Sequence, residues 1–322
     1  MLHFNDISIL RVSAMLMVVF YHCLCPYSIW DGTDYFIGFH VYVWDVVDGM
    51  LAQIHLPIFF LISGFLFGYK RIMGGYNDKV KFIKDKVLRV LVPYVFVGLF
   101  LCLLQDRNIG QMLNGVSHLW FLVTIFECYI LGYVVSPILN YTERNWQMLM
   151  AMLLLFIILM PYSFPTVRLL CLSQIVAYFP YYLIGMLACK MDFRKITKYR
   201  NQILLIGVLL VILFIMQQLY LKRALATIAF GVAIVALMFT YAKLQDIPKL
   251  PSWVISLDKY SMGIYIVHHI LIQEMNGIEL FHVYACANYY IYPLLQFVIV
   301  TFLSWQFVAI CKRYKYSKYI LG

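Results

Sequence analysis

ISILRVSAMLMVVFYHC, residues 7–23, is an apolar run of transmembrane character that carries two ionisable side chains, Arg11 and His22. The two stand eleven positions apart. On a helix rising 1.5 Å per residue that separates them by about 16 Å, roughly half the hydrocarbon thickness of a bilayer. Ionisable groups inside an apolar span are expensive in lipid, so they face a cavity, a ligand or a partner helix. One group near a membrane face and another deep inside suit a long ligand that is anionic at one end.

The remainder of the chain has the same character. Of 322 residues, 64% are hydrophobic and 12% are charged, and the mean hydropathy is +0.83. A soluble domain of this length carries about twice that share of charge. The expectation is an all-α polytopic membrane bundle, one transmembrane domain over residues 1–322. Ten spans are expected, at 7–28, 46–69, 90–105, 117–139, 146–163, 169–189, 202–220, 224–242, 260–275 and 289–310. With the N-terminus inside, the external segments keep only Arg107, Arg168, Lys222 and Arg223 of the basic residues. That asymmetry places both termini in the cytoplasm of a multi-pass protein of a bacterial inner membrane. The net charge of +10 then reflects topology, and nucleic acid is not an expected partner. No small-x-small site follows the first segment, so an uncleaved first helix is expected.

Two segments outside the spans have a chemical reading. The external loop 29–45 carries Asp31, Asp34 and Asp45, with Asp48 just beyond, and an acidic, aromatic loop can contact a sugar. The internal segment 70–89 is strongly basic. From Asn77 it reads as a helix lying on the membrane before Pro93 opens the third span. Such a helix attracts anionic lipid or receives a phosphorylated cytoplasmic cofactor. The eight cysteines form no metal pattern, because no CxxC pair occurs and Cys23 and Cys25 are too close for a metal knuckle. No metal site is expected.

Several further patterns follow the first helix in order. IHLPIFFLISGFLFG (residues 54–68) places Ser63 and Gly64 mid-span, and KVLRVLVPY (86–94) closes the basic segment. SHLWFL (117–122) opens the fourth span, with Glu127 two turns further in. YFPYYLIGM (178–186) lies in the sixth span and SMGIYIVH (261–268) in the ninth.

Together, and in that order, these segments resemble the membrane-bound acyltransferase family 3. Its members carry a basic residue and a His in the first helix, a Phe-Phe-x-x-Ser-Gly motif, a Trp-Phe-Leu segment and a Ser-x-Gly-x-Tyr-x-x-His segment. The His-x-Pro-x-Phe-Phe variant and the acidic residue after Trp-Phe-Leu are closest to the sugar O-acetylases of surface polysaccharide assembly, such as the fucose 4-O-acetylases. The resemblance implies transfer of an acyl group, usually acetyl, from cytoplasmic acetyl-CoA to a glycan or lipid-linked saccharide hydroxyl. Acyl-CoA is then a substrate, no cofactor is permanently bound, and the other partners are membrane lipids; oligomeric state is open.

What the resemblance implies for individual residues follows. His22 is the general base, with Glu127 orienting a His. Arg11, Lys86 and Arg89 meet the phosphates of CoA. Trp120 lines the donor site and, with Ser63 and Tyr265, is a candidate to stabilise the thioester oxygen. His55, His118, Asp45 and His268 contact the acceptor, and His268 pairs with Glu127 or Tyr265. Two other readings stay open at this stage. A flippase for a lipid-linked sugar would use Arg11, His22 and Glu127 as its polar path, and a succinyl group could replace acetyl.

Overall fold

The computed structural model describes residues 4–27, 40–137, 169–220, 224–315 and 317–322. Among these residues it is helical, with no strand. Twelve helices of this region are numbered in chain order. They are α1 (Asn5–Leu24), α2 (Tyr42–Ala52), α3 (His55–Ile72), α4 (Lys79–Lys86), α5 (Val92–Leu104), α6 (Trp120–Val135), α7 (Leu172–Ala188), α8 (Arg200–Tyr220), α9 (Ala224–Lys243), α10 (Ser252–Gly277), α11 (Glu279–Ala287) and α12 (Tyr292–Cys311). Among the described residues eight helical segments are long and apolar enough to cross a membrane, so the chain is a polytopic helical membrane bundle.

The helices depart from the expected spans in three places. The expected second span is two helices, α2 and α3, separated by a turn at Gln53 and Ile54. The basic segment is not a separate surface helix. It runs continuously into the third span as Lys79–Leu104, through a π-helical stretch at Val87–Leu91. Pro93 explains that stretch, because its ring clashes with the carbonyl four residues earlier and a wider turn relieves the contact. The expected ninth span, 260–275, is the core of the 26-residue α10, which begins earlier because Asp258 and Lys259 lie inside the helix. α10 is not among the segments apolar enough to cross, since it holds Asp258, Lys259 and Glu274 together with His268, His269, Gln273 and Asn276. The expected fifth span, 146–163, lies outside the described residues, as do Asp31 and Asp34.

The chain separates into two compact units. The first unit joins Met1–Ile58 to Asp192–Cys311. At its centre α1 packs against α10 and α12, with α2 and α9 also in contact. Most of α1 is buried, including Ile7, Leu10, Ala14, Val18, Tyr21 and Leu24, and the rest of it is half-buried with no exposed residue. An apolar helix with no exposed residue is an inner helix. That is how Arg11 and His22 escape lipid. The start of α1 is tethered as well. Asp6 pairs with Lys243 at 2.6 Å, and the Asn5 amide donates to the Ile247 carbonyl at 2.7 Å.

The second unit joins Phe59–Met191 to Lys312–Gly322. Here α3 and α7 approach so closely that glycine is required on both. A Cβ on Gly64 would fall 1.9 Å from the Tyr182 carbonyl oxygen, and one on Gly185 would fall 2.0 Å from that of Leu61. Small residues let membrane helices come this near. Gly64→Ala or Gly185→Ala therefore forces the helices apart, at about 1–3 kcal/mol of overpacking. Both variants should melt below wild type in detergent. Gly207→Ala, with nothing within 4 Å of its new Cβ, should melt at or slightly above wild type.

Candidate active site

α10, which packs against both α1 and α12, carries a buried face of residues spaced three and four apart. Leu257, Ser261, Ile264, Tyr265, His268, Ile272 and Asn276 are all buried. Two polar contacts join α1 to this face. At one end Arg11 pairs with Asp258, Nη1 to Oδ1 at 3.2 Å, and Ser8 donates its hydroxyl to Asp258 Oδ2 at 2.8 Å. At the other end His22 Nδ1 and His268 Nε2 are 3.0 Å apart. The contacts occur in the same order on both helices, so α1 and α10 run parallel. Ten or eleven residues between contacts correspond to about 15–16 Å on either helix. The Arg11–His22 spacing is matched by the Asp258–His268 spacing.

The His22 end is rich in imidazole. The ring of His269 meets that of His22 edge-on, with centroids 4.8 Å apart, and His268 is 5.0 Å away. Tyr21 stacks on His55 at 4.6 Å. His55 and His268 are both buried. Each donates from Nδ1 to the carbonyl one turn earlier in its helix, His55 to Leu51 and His268 to Ile264. His22 does the same to Val18 at 3.0 Å. Among the described residues no group of three His, Cys, Asp or Glu side chains has a metal-holding arrangement.

The expected site residues thus sort by unit. Arg11, His22, His55, Asp45, Tyr265 and His268 belong to the first. The expected partner of His268 was Glu127 or Tyr265, but its Nε2 bonds His22; Tyr265 is a ring neighbour at 5.8 Å. Asp45 sits at the start of α2, 3.8 Å from His40. In the second unit Ser63 adjoins Gly64 at the glycine crossing. Trp120 packs on Tyr178 at 5.5 Å, and His118 is buried in the turn ahead of it. One carboxylate oxygen of Glu127 is buried without a hydrogen-bond partner.

Two basic candidates of the second unit behave differently from each other. The ammonium of Lys86 lies 3.4 Å from the centroid of the Tyr129 ring and within 6 Å of Tyr76 and Phe82, a cation–π cage. Burial pushes the Tyr76 phenol up to about 12, so it stays neutral beside the lysine. Arg89 is exposed on the π-helical turn.

Asp258, Ser8 and His269 were not among the expected site residues. Asp258 had a detectable signal, since an acid ten residues before His268 mirrors a base eleven residues before His22. An ion pair exposed to this degree contributes about 1 kcal/mol or less, so its main effect is alignment. A double-mutant cycle on Arg11→Met and Asp258→Asn should give a coupling of about 1 kcal/mol in thermal unfolding, with either single variant losing more than the pair. Additive single losses would mean that the two side chains do not interact.

A family model described as an acyltransferase domain matches residues 4–311. No curated protein and no solved structure matches the chain.

Proposed function

The chain belongs to the acyltransferase 3 family, and from that membership we propose that it moves an acetyl group from acetyl-CoA to a hydroxyl of a cell-surface or lipid-linked glycan. The observation that carries the reading is His22, an imidazole inside a protein-buried helix and backed by a second imidazole. A hydroxyl attacks poorly until a base removes its proton. In the proposed step His22 takes that proton as the oxygen attacks the thioester carbonyl. The C–S bond breaks, CoA leaves as its thiolate, and His22 returns the proton to the sulfur.

Arg11 fits the donor end. Asp258 holds one side of a guanidinium that has five donors, which leaves others for a phosphate. Its side chain is 31% exposed, so an anion can approach. About 16 Å separates it from His22, a span suited to the pantetheine arm. In the second unit exposed Arg89 is the better proposed contact for an anion, because Lys86 is committed to its aromatic cage. Tyr265, one turn before His268, is the proposed donor to the thioester oxygen. The charge asymmetry supports cytoplasmic termini in a bacterial inner membrane, with donor entering from the cytoplasm.

Surface-glycan O-acetylation in cells making wild type or His22→Ala at matched levels tests the reading. General-base loss predicts a fall of about 10²–10⁴-fold with the protein still folded. Normal acetylation would remove His22 from the chemistry, and loss of glycan export instead would favour saccharide flipping. For the purified protein, acetyl-CoA should raise the melting temperature with a dose dependence set by mass action. Protection by succinyl-CoA alone would change the acyl assignment.

A further inference from the structure

The contact between His22 and His268 has a direction. Resting on the proposal that His22 is the base, we infer that His268 is a positioning residue, the acceptor that fixes the His22 ring and stabilises the charge that develops on it during transfer. The direction follows from the two carbonyls. A carbonyl oxygen only accepts, so His268 Nδ1, 3.1 Å from Ile264 O, carries a proton. His22 Nδ1, 3.0 Å from Val18 O, carries one for the same reason. A neutral imidazole has one N–H and one lone pair. His268 therefore offers its Nε2 lone pair to His22, whose one Nδ1–H is shared between Val18 O and His268 Nε2, each at 3.0 Å.

That assignment leaves the lone pair of His22 on Nε2, the nitrogen turned away from His268. Removing a proton from a hydroxyl at Nε2 makes His22 an imidazolium, and its Nδ1–H becomes a charge-assisted donor. The Val18 carbonyl already serves the helix ladder, so its capacity for a second strong bond is limited. His268 is fully buried, and its own Nδ1 is held by Ile264. Its bond to His22 is thus stronger in the charged state than in the resting one. An interaction that strengthens as charge develops lowers the barrier more than it tightens binding. The electron and proton balance is unchanged, because His268 accepts a hydrogen bond and no net proton.

The test uses the full chain in nanodiscs. With ¹⁵N-labelled histidine, wild type should show a scalar coupling between two imidazole nitrogens across an N–H···N bond, absent from His22→Gln and from His268→Gln. In acyl-transfer assays His268→Phe should lower kcat by about 10–100-fold, the value of one charge-assisted bond, with KM for acyl-CoA unchanged. His268→Gln, whose amide oxygen can accept from His22, should keep most of the wild-type kcat. Absence of the coupling in wild type overturns the inference, as does wild-type kcat in a folded His268→Phe beside an inactive His22→Ala. Equal loss in the Gln and Phe variants also overturns it. If His268→Phe does not fold, the wild-type coupling and the Gln kcat still decide. An active His22→Ala refutes the base assignment instead, which separates that failure from this one.

Discussion

Two polar contacts between α1 and α10 organise the centre of the first unit. Arg11 and Ser8 hold Asp258, and His22 holds His268. Each contact solves the problem of a polar group in an apolar segment by supplying a partner on the neighbouring helix. Because the helices run parallel with matched spacing, the two contacts form a frame. A longitudinal slip by one residue, about 1.5 Å, would misalign both at once. The frame therefore sets the depth and facing of His22 far more firmly than a single histidine in a mobile loop could be set. Rigid placement of a base on helical elements is what proton abstraction needs.

The ion pair and the histidine pair contribute unequally. Arg11 is about one-third exposed, so water screens its attraction to Asp258. The histidine pair lies among buried rings, where each hydrogen bond is stronger and each unmade bond is costly. Alignment comes from the first contact, and the proposed chemistry rests on the second. The second unit contributes a different kind of order. Its glycine crossing at Gly64 and Gly185 brings α3 and α7 into backbone contact, so the Ser-Gly motif acts in packing there.

Much of this was legible in the residues. Hydropathy identified a helical membrane bundle, and the cost of ionisable groups in lipid identified Arg11 and His22. The partner Asp258 was harder to see, because the acid and Lys259 lower the local hydropathy and fall before the expected span. Its contact with Ser8 joins positions 250 residues apart, beyond the reach of any local periodicity. The break at Gln53 and Ile54 was hidden by continuous apolarity on both sides. Pro93 was visible, but a proline signals the start of a helix as well as a strained point within one, and the π-helical stretch decided for the latter. Aromatic caging of Lys86 could not be read from a basic run, which by itself looks solvated.

The central claim is that the α1–α10 frame aims the Nε2 lone pair of His22 at the reacting atoms. A cryo-EM structure of the protein with a non-hydrolysable acyl-CoA analogue and a saccharide acceptor tests it most directly. The account predicts the acceptor hydroxyl about 3 Å from His22 Nε2, with the thioester carbon beside that hydroxyl and the His22–His268 bond intact. A hydroxyl and thioester seated against another base, with His22 remote from both, would contradict it.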